Sequence, residues 1–210
     1  MNPKLSEFCN DNFYEGKLKN GPTKKPPSSL APFVEKADTL HFFNLKYGKE
    51  QKEKTSYVNH QESKLVASTV AGFIRKDPSL TIGVITPYKA QAKLIESEII
   101  EEIKDERKLE NIKVSTVDAF QGQERNIIIL SCVRSNNRRE VGFVKDPRRL
   151  NVSLTRAQNL LIAFGSEDTL NNSPLLHHFI DHTKSKRAFH DLSSAKDENI
   201  VRMSLWTKIE

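Results

Sequence analysis

The sequence predicts an α/β fold in which helices cover both faces of a parallel sheet. Candidate strands and helices alternate along the chain. The strands are short, nearly continuous apolar runs, the pattern of a sheet buried on both sides. The length, 210 residues, suits one ordinary domain, which buries roughly 70% of the surface that its unfolded chain exposes. There is no internal repeat.

Residues 1–39 read as irregular, with proline and lysine crowding Gly21 to Pro32 as a surface loop. His41 to Leu45 is a short apolar strand, and Lys46 to Lys54 a charged loop. Asn59 is a good helix N-cap, and Glu62, three residues on, predicts a capping box. Leu65, Val66, Thr69, Val70, Phe73 and Ile74 recur at helical spacing until Asp77-Pro78 stops the helix. Ile82 to Thr86 is a buried-type strand. A helix from about Tyr88 to Ile103 turns Leu94, Ile95, Ile99 and Ile103 inward, and the acidic run from Glu96 to Glu110 is its outward side. Lys113 to Thr116 is a short strand, and Ile127 to Val133 the strongest one. Asp146 before Pro147 places an N-cap ahead of a proline at the first helical position. Leu150, Leu154 and Ala157 are the core side of that helix. Leu160 to Gly165 is another strand, and Ser173-Pro174 opens a last helix carrying Leu175, Leu176, Phe179 and Ile180. From Lys184 onward the chain is polar, with isolated apolar residues such as Trp206. The segments are therefore 1–39, a domain at 40–183, and a polar tail at 184–210.

Composition excludes several classes. Cys9 and Cys132 are the only cysteines, so there is no disulfide framework and no zinc-ligand spacing; a reducing compartment fits. No apolar run approaches the ~20 residues that span a bilayer, and Met1-Asn2-Pro3-Lys4 has no apolar stretch of a secretory signal. The expected address is cytoplasmic or nuclear, with no membrane partner and no metal site of the chain's own. Thirty-three basic residues against 27 acidic give +6. Most of that excess sits between Val133 and Leu160, where Arg134, Arg138, Arg139, Lys145, Arg148, Arg149 and Arg156 face only Glu140 and Asp146. Such a run is either a solvated face or a surface for a polyanion, and the planar guanidinium fork suits phosphate.

In open parallel sheets ligands bind outside the carboxyl ends of the strands. That directs attention to the residues after Ile85, Thr116, Val133 and Phe164. Thr86-Pro87-Tyr88-Lys89 offers a hydroxyl, an aromatic and a cation at a strand-to-helix turn, suited to a phosphate and a base or sugar; the alternative is ordinary capping with Tyr88 packed on the sheet edge. Val117 to Glu124 is a polar loop in which Gly122 permits close backbone approach and Glu124 offers an acceptor for ribose hydroxyls; the alternative is a plain turn. Arg149 and Arg156, seven apart, are expected to share a helix face about 10.5 Å apart, aiming guanidinium groups at a phosphate bound elsewhere or simply at solvent. A P-loop is absent: Gly16 to Thr23 mimics its spacing, but Pro22 stands where the lysine must be and no strand precedes it. No Asp-Glu pair follows a strand to hold magnesium.

Together these stretches resemble the up-frameshift-type branch of superfamily 1 helicases. Ser115 to Glu124 resembles the family's motif V, Asp146 to Ala157 its motif VI, Gly83 to Gln91 the segment before them, and Phe13 to Leu18 the link into this domain. The resemblance runs from Met1 to about His182. It implies the second RecA-like domain of the motor, a P-loop NTPase fold lacking its own P-loop. ATP with Mg²⁺ would lie in the cleft against a first RecA-like domain that carries most of the ligands. The resemblance further implies that Glu124 holds the ribose, that Gly122 lies near the terminal phosphate, and that Arg156 is the arginine finger. Thr86, Tyr88 and Thr116 would line the single-strand track, with Arg149 beside them, and residues 1–39 would be the link from the first domain.

Two departures stand out. Gln158 occupies a position that is usually basic in the family. Of the preceding motif, Gln-Tyr-Arg-Met-x-Pro, only the tail survives as Met1-Asn2-Pro3. The reading that results is the C-terminal half of an ATP-driven helicase or translocase on single-stranded RNA or DNA, for which the family implies 5′-to-3′ travel. By itself this chain is expected to be nearly inactive, its first domain being supplied in cis or in trans. The alternative is a non-catalytic nucleic-acid-binding or trans-acting module that kept the helicase fold.

Overall fold

The computed structural model of the chain describes residues 2–19, 25–35 and 39–197, together with Val201 and Leu205. In chain order the elements are α1 (Pro3–Phe13), α2 (Ala31–Glu35), β1 (Leu40–Leu45), β2 (Gln51–Glu53), β3 (Ser56–Val58), α3 (His60–Lys76), β4 (Ile82–Thr86) and α4 (Lys89–Ile103). Then come α5 (Glu106–Leu109), β5 (Ile112–Thr116), β6 (Arg125–Ser131), α6 (Pro147–Leu154), β7 (Ala157–Gly165), α7 (Glu167–Leu170), α8 (Pro174–Ser185) and β8 (Phe189–Leu192). Six strands form one sheet in the order β5-β4-β6-β7-β1-β8, parallel at every pairing. The fold is the expected RecA-like α/β architecture.

Alternation along the central strands explains the continuous apolar runs. On β6, Ile127 and Ile129 join one core with Leu65, Val70, Phe73 and Ile95 of α3 and α4. Ile128 and Leu130 join the other with Phe8 of α1, Leu150 and Leu154 of α6, and Phe179 of α8. Over Ile127–Leu130 neither face of the strand meets water, so this stretch is apolar on both faces.

Three expected segments differ. Residues 1–39 are not irregular throughout: the Asn2 side chain caps α1 by accepting from the Lys4 N–H at 2.9 Å, with proline at the first helical position. Leu5, Phe8 and Cys9 of α1 are buried, Phe8 edge-on to Phe179 at 5.3 Å. The cap-proline pair and the i, i+3, i+4 apolar spacing were present in the sequence. The Lys46–Lys54 loop contains β2, paired antiparallel with β3. The polar tail supplies β8, which pairs with β1 through Phe42 and Phe189, and Val201 and Leu205 are buried in the second core. Trp206, Met1 and residues 20–24, including Pro22, lie outside the described residues. Cys9 and Cys132 are buried and unpaired; burial pushes both thiols up, Cys9 to about 12.

One connection positions the site. From β5 to β6 the chain crosses β4 in residues 117–124, with only a 3₁₀ turn at Asp118–Phe120 instead of a helix. Phe120 holds this crossover down. Its ring lies where a side chain on Gly83 of β4 would go, Cζ standing 2.4 Å from an ideal Cβ. A residue larger than glycine at 83 would force the crossover off the sheet.

Candidate functional site

Parallel strands begin at one edge of the sheet and end at the other, so each connection must carry the chain back. This splits the candidate residues into two groups. Gly122, Glu124 and Arg156 do not lie at the carboxyl edge: they come just before β6 and β7, at the amino ends of two adjacent strands. Thr86, Tyr88, Thr116 and Arg149 lie at or beyond the carboxyl ends of β4 and β5 and at the start of α6.

The first group is drawn together by the ladder. The Arg125 N–H donates to the Arg156 carbonyl at 3.1 Å, placing Glu124 and Arg156 on neighbouring chains. Between Arg125 and Ile127 the register slips, so that Gln158 and Asn159 stand opposite Asn126. Such a bulge re-aims side chains, and the Gln158 amide here donates to Glu124 Oε2 at 3.2 Å. The Asn126 amide donates to the side-chain oxygens of Gln158 at 3.4 Å and Asn159 at 3.3 Å. Arg156 is not on the helix with Arg149. Helix α6 ends at Leu154, Thr155 is its C-cap, and Ala157 already belongs to β7; pairing with β6 ended a helix that the seven-residue spacing had extended. Arg156 Nε donates to the Val152 carbonyl at 3.2 Å and Nη2 to Thr155 Oγ1 at 3.0 Å. These bonds steady the half-buried guanidinium. Gly122 has φ +78° and open space around the place of a side chain.

A nucleotide fits this donor set. Glu124 is an exposed carboxylate oriented by an amide, Arg156 a guanidinium fixed through Nε and Nη2, and Gly122 an unobstructed backbone. Among the described residues no three His, Cys, Asp or Glu side chains gather to hold a metal ion.

The second group is more buried than the sequence reading expected. Thr86, paired in register with Thr116, is fully buried, and its hydroxyl has no hydrogen-bond partner among the described residues. Tyr88 is 3% exposed. Its hydroxyl accepts from Arg134 Nη1 at 3.3 Å and from the Phe143 N–H at 3.4 Å, and its ring meets Tyr57 edge-on at 5.5 Å. Tyr88 packs on the sheet edge and presents no ring to a ligand, because Arg134 and Tyr57 occupy both its polar and its apolar sides. Arg149 is half-exposed and forks onto Asp118, at 2.9 and 3.3 Å. Thr116 is half-buried.

Of the seven basic residues counted in the surface stretch, Arg134 is the exception. It is 4% exposed and forks onto Glu50, Nε to Oε2 at 2.9 Å and Nη2 to Oε1 at 3.1 Å. Its guanidinium lies 4.3 Å from the Tyr57 ring centroid. Nothing in local spacing distinguishes it from the exposed arginines around it.

The capping box is made in one direction only. Asn59 Oδ1 accepts from the Glu62 N–H at 3.1 Å, but the Asn59 N–H donates to Gln91 of α4 at 2.9 Å. The Glu62 carboxylate turns inward instead, accepting from Ser131 Oγ at 2.6 Å and the Val133 N–H at 2.9 Å. The Asn59 amide holds the Val133 carbonyl at 3.2 Å. Val133, just past the end of β6, has φ +68°, a costly conformation for a β-branched residue; the clamp from both sides sustains it. Burial pushes the Glu62 carboxyl up to about 7, with the Ser131 and backbone hydrogen bonds acting in the lowering direction. A folded-state value above the ordinary 4.5 means that the folded chain holds a proton the unfolded chain releases. The stability due to this group is therefore full below pH about 4.5 and is lost as pH rises through about 7. Thermal unfolding of Glu62→Gln, compared with the parent from pH 4.5 to 7.5, is expected to lack that decline. An unchanged slope would show that Glu62 does not carry it.

A six-stranded, wholly parallel sheet with helices packed on both faces is a RecA-like α/β domain. A family model described as an AAA domain matches residues 1–168. The chain belongs to that family and is a helicase domain of the up-frameshift type in superfamily 1. It is 40% identical over 192 residues to "Regulator of nonsense transcripts 1" of Dictyostelium discoideum, covering 89% of this chain and 14% of that protein. It is 37% identical to "ATP-dependent helicase upf1" of Schizosaccharomyces pombe, covering 89% and 21%. It is 38% identical to "ATP-dependent helicase NAM7" of Saccharomyces cerevisiae, covering 89% and 20%. The chain thus spans between 14% and 21% of the length of these relatives. No helix among the described residues is long and apolar enough to cross a membrane.

Proposed function

We propose that this chain is the C-terminal motor domain of an ATP-dependent helicase or translocase acting on single-stranded RNA or DNA. The observation that carries this reading is the juxtaposition of Glu124 and Arg156 across the start of the β6–β7 ladder. Glu124, oriented by Gln158, accepts from the two ribose hydroxyls. Gly122 lets the backbone approach the phosphates. Arg156 donates to the transferring phosphoryl group from a position fixed by Val152 and Thr155. A bound nucleotide supplies the phosphoanhydride whose hydrolysis drives the cycle. Magnesium and its ligands are assigned to a first RecA-like domain, in cis or in trans. The segment ahead of residue 40 is the connection to that domain: the Asn2 N–H donates to the Gln158 carbonyl at 3.0 Å, which brings the incoming chain beside Arg156. The domain proper is residues 40–183, with β8 of the tail docked on it. A cytoplasmic or nuclear site of action goes with this reading.

The test compares this chain alone with the same chain joined to its first motor domain. Hydrolysis stimulated by single-stranded RNA or DNA is expected in the joined form, and only a trace in the isolated chain. Robust turnover by the isolated chain would overturn the division of labour. Absence of stimulated turnover in the joined form would overturn the motor assignment.

A further inference from the structure

Among the described residues three large apolar side chains are exposed, and Phe143, at 56%, is the most exposed of them. The other two have ordinary settings. Tyr14 is 37% exposed and its hydroxyl accepts from the Asn151 amide at 2.9 Å, while Ile100 lies on the outward side of α4. Phe143 has no such setting. It stands in a 3₁₀ turn, Gly142–Lys145, whose backbone is fixed on both sides. Gly142 has φ +64°, and the place of a side chain there is filled by Arg134 Nη1 at 2.1 Å and the Tyr88 hydroxyl at 2.4 Å. The Phe143 N–H donates to that same hydroxyl at 3.4 Å, and Val144 beside it is buried. The buried Arg134–Tyr88 pair therefore acts as a footing that holds the Phe143 ring in water.

The ring's neighbours indicate what it meets. The Arg149 guanidinium lies 5.8 Å from its centroid, and Tyr88 tilts against it at 5.9 Å. Phe143, Pro87, Val117 and Arg149 border one narrow crevice, which opens at the carboxyl ends of β4 and β5. Lys145 and Arg148 are exposed nearby and hold no ion pair among the described residues, whereas Arg149 is engaged with Asp118. An exposed aromatic ring on a fixed backbone turn, with the unpaired cations Lys145 and Arg148 nearby, matches a base attached to a phosphate backbone, since every base has a π-face and stacking tolerates sequence.

We infer that Phe143 is a stacking platform for one base of a single strand, with Lys145 and Arg148 receiving the flanking phosphates. It takes the part that sequence spacing had given to Tyr88. The inference rests on the proposed reading of the chain as a nucleic-acid motor domain.

The test measures binding of fluorescently labelled oligo-uridylate and oligo-thymidylate to the full 210-residue chain by anisotropy, beside a matched oligomer with abasic sites. Phe143→Ala is expected to weaken binding of the base-bearing oligomers about tenfold. Phe143→Trp is expected to keep the affinity, and Phe143→Leu, apolar without a π-face, to behave as the alanine variant. The abasic oligomer is expected to bind parent and alanine variant alike. An affinity within twofold of the parent for Phe143→Ala, as a ring serving a protein partner would give, overturns the inference and leaves the motor assignment standing. Equal loss on the abasic oligomer also overturns it, placing the effect in folding or phosphate contact. A parent chain that binds no single strand overturns the inference together with the nucleic-acid reading beneath it.

Discussion

Replacing Arg156 with alanine is expected to lower ATP turnover by about 10³- to 10⁵-fold, the range over which an arginine finger acts in related NTPases, in a form that carries both motor domains. The guanidinium is held in place before any nucleotide is bound. Nε donates to the Val152 carbonyl and Nη2 to Thr155 Oγ1, and the residue's own carbonyl is tied to β6 through Arg125. Positioning therefore costs little at the moment of reaction, when negative charge develops on the transferring group. Arg156→Lys should not restore turnover, because a single ammonium cannot make the two tethers and still reach a phosphoryl oxygen. Affinity for single strands, measured in parallel, should stay within about twofold, since Arg156 lies at the amino end of the strands, away from Thr116 and Arg149. Turnover that survives in Arg156→Ala would remove the finger from this residue. Loss of strand binding alongside turnover would show that the two edges of the sheet are not separate in function.

The largest effect on stability is expected from Arg134→Ala. The Arg134 side chain is 4% exposed and that of its partner Glu50 12%. Glu50 also accepts from the Ser135 N–H at 2.8 Å and the Asn136 amide at 2.9 Å, so one carboxylate gathers the whole turn after β6. Truncating the arginine leaves that carboxylate without its cation and opens a void beside Tyr57 and Tyr88. Breaking a buried pair in this way costs about 3–5 kcal/mol, a fall of roughly 10 °C in a cooperative unfolding transition for a domain of this size. Thermal or denaturant unfolding measures it directly. The double variant Arg134→Ala with Glu50→Gln should recover part of the loss, because the neutral amide no longer needs a buried counter-charge. A drop below about 1 kcal/mol for the single variant would mean that water replaces the arginine without penalty.

Both residues stand in the basic stretch between Val133 and Leu160, where composition alone treats them alike and only the resemblance of Asp146 to Ala157 to the family motif singles out Arg156. The stretch was legible as unusual, seven cations against two anions, but its composition does not separate an exposed cation from one locked under a turn. The separation comes from Glu50, 84 positions away in the chain. The same holds for the aromatics. Tyr88 directly follows a strand-end loop and looked available, whereas Phe143 sits in a featureless run; the packing of Arg134 and Gly142 against Tyr88 buries the tyrosine and leaves Phe143 the exposed ring. Glu62 was legible as a cap residue, but only the meeting of α3, α4 and β6 shows where its carboxylate goes.

What the sequence determined by itself was whatever depends on near neighbours. Apolar periodicity marked most of the strands and helices, and Asn59, Asp146 and the prolines marked their starts and stops. The two long motifs, 115–124 and 146–157, identified the family, since their residues act as contiguous sets. What only the tertiary structure decided was which side chains share a place. Gly122, Glu124 and Arg156 moved from the carboxyl edge to the amino edge because a parallel sheet obliges each crossover to return before the next strand begins. Helix α6 ended before Arg156 because Ala157 gains more from the β6 ladder than from another helical turn. Burial of Arg134, Tyr88 and Glu62 follows from contacts between residues 30 to 90 positions apart, and no local pattern encodes a distance of that kind.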